Sequence, residues 1–266
     1  MSDLQWLRDA LGNHKHLHAF SAARLRRINS DSHQVFELVS DSLHAALKAH
    51  RNITSRFIDF DAEAKNEAIA IRLDLAPKAL FCDQNFKLIQ WVENSEPLNL
   101  CRLDANTKID LVVDTLATLH QSTPPFTDTI TVKQAVKWNL SMAANDKMES
   151  SYWQHTLDWL ESVEDDLPRV NCHGDLVAEN ILIQNHNGKT QAVLIDFEYS
   201  HVSVAYWDLA NLVLAADLGR DAQQYLLDRY ATTINPDLFQ PSKELFERFI
   251  EIIRGVNQLW YANNPL

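Results

Sequence analysis

The chain has 266 residues, 46% of them hydrophobic, enough to bury a substantial core in one domain or two closely packed lobes. Its formal net charge of −12 disfavours nucleic acid and anionic membrane surfaces as partners. Three cysteines, with no CxxC spacing, cannot all pair, so we expect a reducing, cytoplasmic location. No stretch approaches the ~20 apolar residues of a membrane span, and the first residues lack an apolar segment, so neither insertion nor export is expected.

The first hundred residues have the patterns of two hairpins and two helices. Apolar residues at helical spacing predict a short amphipathic helix at 2–11 and a second helix at 64–73. Alternating apolar residues predict two hairpins, with strands at 33–40 and 43–50 and at 81–85 and 86–92.

A short histidine-rich segment, His14 to His18, follows the first helix. On a strand, His14 and His16 would share one face, which is a spacing that metal ligands use. This favours a metallohydrolase as one rival class of enzyme. No buried apolar strand leads into the pair, so a solvated polar segment is the better interpretation.

From about residue 99 the pattern is mainly helical. Residues 103–120 form one predicted helix, and 131–164 form one or two more whose aromatic residues are typical of a core. Three closing helices are predicted at 205–217, 221–233 and 242–262.

Two related stretches, 172–183 and 192–199, each join a run of Ile, Leu and Val to polar residues. Such runs are typical of buried strands, so the polar residues belong at strand ends or in the loop between them. Asp175 precedes Asn180 by five positions, and one short loop can direct both side chains to the same place. Asp196 adds a second carboxylate. Oxygen ligands for Mg²⁺ and a carboxylate that takes a proton from the attacking hydroxyl are what phosphoryl transfer requires.

The segments His173-Gly174-Asp175 and Ile195-Asp196-Phe197-Glu198-Tyr199 resemble the aminoglycoside phosphotransferase and choline/ethanolamine/thiamine kinase superfamily, which is protein-kinase-like. The second segment is most similar to the choline and thiamine kinase branch. The resemblance implies that Asp175 is the catalytic base and that Asn180 and Asp196 bind Mg²⁺. It also implies that His173 and Asp208 support this loop.

The same resemblance implies nucleotide contacts upstream. Lys48, late in the first hairpin, matches the residue that contacts the α- and β-phosphates of ATP, and Glu67 would hold it by an ion pair. At the end of the second hairpin, the backbone carbonyl of Gln90 and the amide of Val92 would bind adenine.

The turn Asn29-Ser30-Asp31-Ser32 departs from the family pattern, because no glycine lies between Gly12 and Gly174. In the superfamily, backbone amides of this turn cover the phosphates. Ser30 and Ser32 could still contact phosphate, whereas Asp31 would repel it unless turned away. A catalytically silent, kinase-like binding protein is therefore an open alternative.

The resemblance implies an α+β, two-lobed, protein-kinase-like fold. A small antiparallel sheet with one helix would form an N-terminal nucleotide-binding lobe, residues 1–98. Residues 99–266 would form the mainly helical catalytic and substrate-binding lobe, with MgATP in the cleft between the lobes. The sequence leaves the oligomeric state and the choice between ATP and GTP open.

The implied function is ATP-dependent transfer of the γ-phosphate to a hydroxyl of a small-molecule alcohol. The Asp-Phe-Glu-Tyr form of the second motif favours choline, ethanolamine or thiamine over an aminoglycoside. A cationic head group could use Glu198 with Trp207, Trp260 or Tyr261, through charge and cation–π contact. Packing in the core is the competing role for each of these side chains.

Overall fold

The computed structural model describes residues 3–28, 34–50, 59–142 and 150–263. The chain divides into two compact units: Met1–Phe60 with Pro77–Val92, and Asp61–Ala76 with Glu93–Leu266. The expected lobe boundary after residue 98 stays a prediction. The last segment of the first compact unit ends at Val92, and most of the helix that carries Glu67 belongs to the second unit.

The first unit is built on a five-stranded antiparallel sheet of order β1-β2-β3-β5-β4. Helix α1 (Asp3–Gly12) precedes it, and its core combines Leu7 and Leu11 of α1 with apolar residues of the strands. The sequence pattern did not predict β1, because its Arg-Leu-Arg-Arg-Ile run has a single buried residue, Leu25. The strands are β1 (Arg24–Ile28), β2 (Gln34–Val39), β3 (His44–Ala49), β4 (Ala79–Cys82) and β5 (Phe86–Gln90).

Strand β3 has two differently used faces. Leu47 belongs to the apolar core of the first unit, and the next residue, Lys48, points to the opposite face. Lys48 is 8% exposed, and its partner across the ladder, Lys87 of β5, is 4% exposed. Residues directly opposite each other in an antiparallel pair share a face, so two buried lysines lie side by side there.

The second unit is mainly helical. The helix predicted at 64–73 is longer than expected, and the region predicted at 131–164 contains two helices. Helix α3 begins at its cap Asp104, whose carboxylate accepts a hydrogen bond from the amide of Thr107 at 3.0 Å. The helices are α2 (Phe60–Arg72), α3 (Ala105–His120), α4 (Val132–Met142), α5 (Ser150–Val163), α6 (Tyr206–Ala215), α7 (Arg220–Thr233) and α8 (Lys243–Asn263).

Two small sheets in the second unit carry the central motifs. One has the order β6-β8-β9, and the other pairs β7 with β10. The two apolar runs of the sequence are β8 and β9, which pair from Ile181 opposite Leu194 to His186 opposite Lys189. The strands are β6 (Ser95–Pro97), β7 (Arg169–Cys172), β8 (Ile181–His186), β9 (Lys189–Leu194) and β10 (His201–Val204).

Helix α6 is the buried centre of the second unit. Tyr206 at its start stacks parallel on Phe249 of α8, with ring centroids 5.2 Å apart. The Tyr206 hydroxyl donates to the carbonyl of Gln240 at 2.8 Å and accepts from the amide of Ser242 at 2.9 Å. Burial raises the pKa of Tyr206 to about 12, so this hydroxyl keeps its proton and its donor role.

The mixture of an antiparallel sheet and a helical unit confirms the α+β class. Cys82, Cys101 and Cys172 are all free thiols. Within the described ranges, none of the helices combines the length and the apolar character needed to cross a bilayer.

Helix α8 packs closely on α5 at Gly255. A Cβ atom at this position would lie 2.7 Å from Cη2 of Trp153, a buried indole ring. We expect Gly255→Ala to destabilise the protein by about 1–3 kcal/mol in urea unfolding, although alanine is the better helix former. The control is Gly12→Ala at the end of α1, where the nearest atom would be 3.7 Å away. A stabilising Gly255→Ala would contradict this packing.

Candidate active site

The loop that follows β7 is held by one buried carboxylate. Asp208, on the first turn of α6 and 0% exposed, accepts hydrogen bonds from two successive amides of this loop. The amide of His173 donates to its Oδ2 at 2.7 Å, and the amide of Gly174 donates to its Oδ1 at 3.0 Å. Both carboxylate oxygens are thereby used to fix the backbone immediately before Asp175.

Asp208 is itself supported from helix α3. Nε2 of His120 lies 3.0 Å from Oδ2 of Asp208, and Nδ1 of His120 lies 2.6 Å from the hydroxyl of Tyr230. Burial, with Cys172 and Asp208 nearby, raises the pKa of Tyr230, so its hydroxyl keeps its proton. This hydroxyl donates to Nδ1 of His120, and the N–H at Nε2 of His120 then donates to Asp208. The sequence analysis missed Tyr230 and did not connect His120 with Asp208.

The pKa of Asp208 reflects these contacts. Burial by itself raises it, but the hydrogen bond from His120, the neighbouring His173 ring and the amide of Gly174 together lower the pKa below its ordinary value. The carboxylate is therefore ionised at neutral pH, as an acceptor of several N–H groups must be.

The loop requires glycine at position 174. Gly174 has φ +85°, and a Cβ there would lie 2.2 Å from the carbonyl oxygen of Tyr199. The carbonyl of Gly174 accepts a hydrogen bond from Nε1 of Trp207 at 3.0 Å. The backbone of the first motif thus packs directly on that of the second.

Asp175, Asn180 and Asp196 are brought together as the spacing predicted. Nδ2 of Asn180 donates to Oδ2 of Asp175 and to its backbone carbonyl, each at 3.0 Å. The amide of Ile195 donates to the carbonyl of Asn180 at 3.0 Å, which joins the two motifs one residue before Asp196. Asp196 has φ +69°, a backbone conformation that residues other than glycine rarely adopt.

His173 forms a second link between the motifs. Its Nδ1 accepts from the amide of Asp175 at 3.3 Å, and its Nε2 donates to the carbonyl of Ile195 at 3.0 Å. Its ring also packs against that of Phe197, with centroids 4.7 Å apart. One imidazole therefore spans the residues beside both carboxylates.

Tyr199 lies among the acidic groups of the site, and the sequence analysis did not single it out. Burial raises the pKa of Tyr199, and the charges of Glu198, Asp175 and Asp196 raise it further, while a hydrogen bond with the Trp260 side chain opposes them. The phenol is thus protonated beside three carboxylates. This arrangement brings two predicted acceptor-binding residues, Glu198 and Trp260, near the first motif.

The other two predicted acceptor-binding residues differ in exposure. Trp207 is 8% exposed, and its indole N–H is occupied by Gly174. Tyr261 is 48% exposed and makes an edge-to-face contact with Trp260. Of the four candidates, Glu198 and Trp260 are the two that affect the pKa of Tyr199.

The predicted nucleotide-binding residues lie in different parts of the chain. Lys48 is buried on β3, and Glu67, on α2, is 2% exposed. Gln90 ends β5, and Val92 follows it at the end of the first unit. The turn with Ser30 and Ser32 lies outside the described residues.

The donors near the two motifs fit Mg²⁺. Asp196 offers a carboxylate, and Asn180, whose Nδ2 is bonded to Asp175, offers its carbonyl oxygen. Mg²⁺ prefers oxygen ligands, often one or two carboxylates with substrate phosphates. An all-oxygen set beside Asp175 therefore suits this ion.

Two other histidine arrangements have structural contacts instead. Residues 15–17 form a turn and His14 lies outside any helix or strand, so the pair lacks the strand that a shared metal-binding face requires. Nε2 of His14 lies 2.7 Å from Oδ2 of Asp83. In the described part of the chain, the one group of three potential ligands is His120, Cys172 and Asp208. Burial raises the pKa of the Cys172 thiol, and Asp208 is occupied by hydrogen bonds, so this group fits a structural network.

His201 on β10 contacts residues of the second motif and of helix α6. Its Nδ1 donates to the carbonyl of Tyr199 at 2.6 Å, and its ring makes an edge-to-face contact with Trp207. Burial lowers the pKa of His201, against the opposing effects of the Tyr199 carbonyl and nearby Asp208 and Asp128. The folded protein therefore favours the neutral imidazole.

The fold matches solved structures over nearly the whole chain. Choline kinase LicA from Streptococcus pneumoniae superposes with a TM-score of 0.78 at 20% identity, covering 97% of this chain and 89% of that one. A structure of LicA in complex with AMP superposes with a TM-score of 0.75 at 21% identity, covering 91% of this chain and 84% of that one. These likenesses confirm the predicted class, a protein-kinase-like fold.

Sequence comparison places the chain more narrowly. Residues 24–240 match the Phosphotransferase enzyme family, and the chain belongs to this family, which confirms the predicted resemblance. Protein LicA of Haemophilus influenzae is 28% identical over 202 residues, which are 71% of this chain and 57% of that protein. The chain thus corresponds to little more than half the length of this relative.

The depressed pKa of His201 predicts a pH dependence of stability. The unfolded chain binds a proton at this histidine near its ordinary pKa of about 6.5, whereas the folded chain resists it, so stability falls as pH drops below about 6.5. In His201→Gln this component is absent. We expect the stability difference between wild type and variant, measured by urea unfolding, to shrink from pH 7.5 to pH 5.

The control is His186→Gln, which replaces an exposed histidine at the end of β8. A difference between wild type and His201→Gln that stays constant over this pH range would show that His201 does not titrate differently in the folded protein.

Proposed function

We propose that the protein is an ATP-dependent kinase that transfers the γ-phosphate to a hydroxyl of a small alcohol. The observation that carries this proposal is the joining of Asp175, Asn180 and Ile195-Asp196 by hydrogen bonds of 3.0 Å. The set comprises a carboxylate for the hydroxyl proton, an amide and a second carboxylate, which is what phosphoryl transfer requires. Membership of the Phosphotransferase enzyme family supports it.

Asp175 acts as the base in this proposal. The Asn180 amide fixes Oδ2 of Asp175, and the preceding backbone is fixed by Asp208, so the Asp175 carboxylate is held in place to accept the proton of the acceptor hydroxyl. The oxygen of that hydroxyl then attacks the γ-phosphorus, and ADP leaves with the bridging oxygen. Holding the two reactants in line is the main contribution that the protein makes.

Asn180 and Asp196 would hold Mg²⁺, which neutralises charge on the phosphates of ATP. Lys48 would add a positive charge to the α- and β-phosphates, with Glu67 holding its side chain. Gln90 and Val92 would bind adenine through their backbone. The AMP complex of LicA supports a nucleotide as the ligand proposed here.

Choline, ethanolamine or a thiamine-like alcohol is the proposed acceptor. Glu198 and the protonated Tyr199 lie beside Asp175 and Asp196, and Trp260 is hydrogen-bonded to Tyr199. A site with this many carboxylates and two aromatic rings favours a cation over a neutral or anionic alcohol. The similar structure from Streptococcus pneumoniae is that of a choline kinase, which supports the same acceptor class. The three free cysteines suit a reducing cytoplasm as the place of reaction.

One observation favours a second candidate, a binding protein without catalytic activity. The predicted turn at Asn29–Ser32 has no glycine, and Asp31 would repel the phosphates unless it is turned away. A protein with weakened phosphate contacts would keep its fold and lose transfer. Nucleotide binding and transfer therefore need separate measurements.

ATP with Mg²⁺ should stabilise the folded protein. A ligand at 100 times its dissociation constant adds about 2.7 kcal/mol, on the order of 5–10 °C in melting temperature for a chain of this size. We expect this rise in a thermal melt of wild type and its loss in Asp196→Ala, since Asp196 is the proposed Mg²⁺ ligand.

The matched control is Asp217→Ala. Asp217 also has a positive φ, of 47°, and is exposed, so the backbone cost of alanine is comparable without any effect on the site. If both variants lose the ATP-dependent rise in melting temperature equally, Asp196 is not part of the proposed site. If wild type shows no rise in melting temperature, the binding protein without catalytic activity is favoured.

Asp175→Asn should abolish phosphate transfer while the protein stays folded. Loss of a general base costs roughly 10²–10⁴ in kcat. Asparagine keeps the size of the side chain and an oxygen for the Asn180 amide. We expect choline phosphorylation, followed by ADP release, in wild type and not in this variant.

Glu179→Gln is the control, because Glu179 is an exposed carboxylate of the same loop that contacts Asn99. Transfer by Asp175→Asn at the wild-type rate would refute the assignment of the base.

Comparing choline with its uncharged analogue 3,3-dimethylbutan-1-ol tests the acceptor class. A preference of roughly tenfold in kcat/KM for choline is expected from cation–π and charge contacts, and equal use would refute a cationic subsite.

A further inference from the structure

Helix α2 carries a buried asparagine beside Glu67. Asn66 is 1% exposed, and its carboxamide uses all of its hydrogen-bonding groups. Nδ2 donates to the carbonyl of Ser200 at 3.0 Å and lies 3.1 Å from its hydroxyl, and Oδ1 accepts from the amide of Thr127 at 2.9 Å. One side chain thus ties α2 to two distant segments of the second unit.

Ser200 closes the turn that begins after Asp196. Its hydroxyl donates to the carbonyl of Phe197 at 2.6 Å, and its amide donates to the same carbonyl at 3.0 Å. The Phe197 ring packs on His173, which bonds to the carbonyl of Ile195. The bond from Asn66 to Ser200 therefore acts on the segment that sets the position of the Asp196 carboxylate.

The same segment is anchored to α2 on its other side. The amide of Leu194, at the end of β9, donates to the carbonyl of Leu75, three residues after the end of α2, at 2.8 Å. Hydrogen bonds from the α2 region thus bracket residues 195–199, with Leu75 before them and Asn66 after them. A shift of the helix would move both ends of the segment.

We propose that Asn66 is a positioning residue of the phosphotransferase site, which fixes α2, and with it Glu67, to the turn that carries Asp196. This rests on the proposed function. In protein kinases the helix that carries the corresponding glutamate and the metal-binding aspartate must both be in place for activity. Here the Asn66 carboxamide holds the two in one fixed arrangement, so the helix and the Mg²⁺ ligand are assembled together.

Asparagine is the residue type that meets this demand. Aspartate would keep the acceptor for Thr127 but would place an oxygen against the carbonyl of Ser200, where no donor remains. A buried carbonyl and hydroxyl without a donor lower stability, and a displaced Ser200 would also shift the Asp196 turn.

A buried asparagine could also serve stability alone, and the chain offers a close control. Asn171 on β7 is 3% exposed, and its Oδ1 accepts from the amide of Phe126, the residue before Thr127, at 2.7 Å. Its Nδ2 donates to Ser122 and to the carbonyl of Pro124. Asn171 thus has the same chemistry and burial as Asn66, but its side chain bonds neither to α2 nor to residues 195–200.

The test compares Asn66→Asp with Asn171→Asp in the full chain. Both variants should lose similar thermal stability. Only Asn66→Asp should raise the Mg²⁺ concentration for half-maximal ATP binding, measured by calorimetry, by roughly tenfold, the low end for partners that orient metal ligands. Its kcat with choline should fall by a comparable factor, while KM for choline stays within about twofold.

Equal effects of the two variants on Mg²⁺ dependence would overturn the proposal, as would an Asn66→Asp protein with wild-type Mg²⁺ dependence. If Asn66→Asp does not fold, the pair Asn66→Ala and Asn171→Ala replaces it, since alanine removes the carboxamide bonds without placing a charge against the Ser200 carbonyl, and only Asn66→Ala should show the change in Mg²⁺ dependence. The calorimetric result distinguishes failure of the proposed function from failure of the role proposed for Asn66. If wild type binds MgATP but transfers no phosphate, the function is refuted, and the Mg²⁺ dependence of Asn66→Asp still tests the role of Asn66. If wild type is active and Asn66→Asp is unaffected, only the role of Asn66 is refuted.

Discussion

The site depends on one buried carboxylate, Asp208. A loop that presents a reactive side chain cannot satisfy its own amides with helix or sheet bonds, and buried amides without acceptors lower stability. Asp208 accepts from the amides of His173 and Gly174, and its ionised state is supported by His120. Because both oxygens are bound, Asp175 starts from a fixed backbone, which is the condition for in-line transfer.

The two motifs behave as one structure because they share backbone contacts as well as side chains. The Ile195 amide bonds to the carbonyl of Asn180, and Gly174 lies against the carbonyl of Tyr199 so closely that no side chain fits there. His173 spans the same junction. The backbone segments that carry the two carboxylates are thus bonded directly to each other. The proposed role of Asn66 extends this connection to α2.

The electrostatic character of the site follows from the same packing. Burial raises the pKa of the Tyr199 phenol, and the negative charges of Glu198, Asp175 and Asp196 raise it further. Cations relieve such repulsion, and the proposed Mg²⁺ at Asp196 and the proposed cationic acceptor at Glu198 would both do so. The net charge of −12 did not locate this site, and only the folded arrangement concentrates the charge here.

The sequence by itself predicted most helices and the grouping of Asp175, Asn180 and Asp196. These predictions follow from local patterns, since a short loop and two apolar strands confine the polar groups to one place. The α+β class, in contrast, was implied by the resemblance of the two motifs to a known family. The sequence did not reveal the partners that hold this set, because they come from afar: the bond between His120 and Asp208 spans 88 positions, and that between Asn66 and Ser200 spans 134. Strand β1 was also missed, because pairing with β2 outweighs its polar composition. Hydrophobic periodicity reports which face of an element is buried, whereas only the tertiary structure decides which buried polar groups meet.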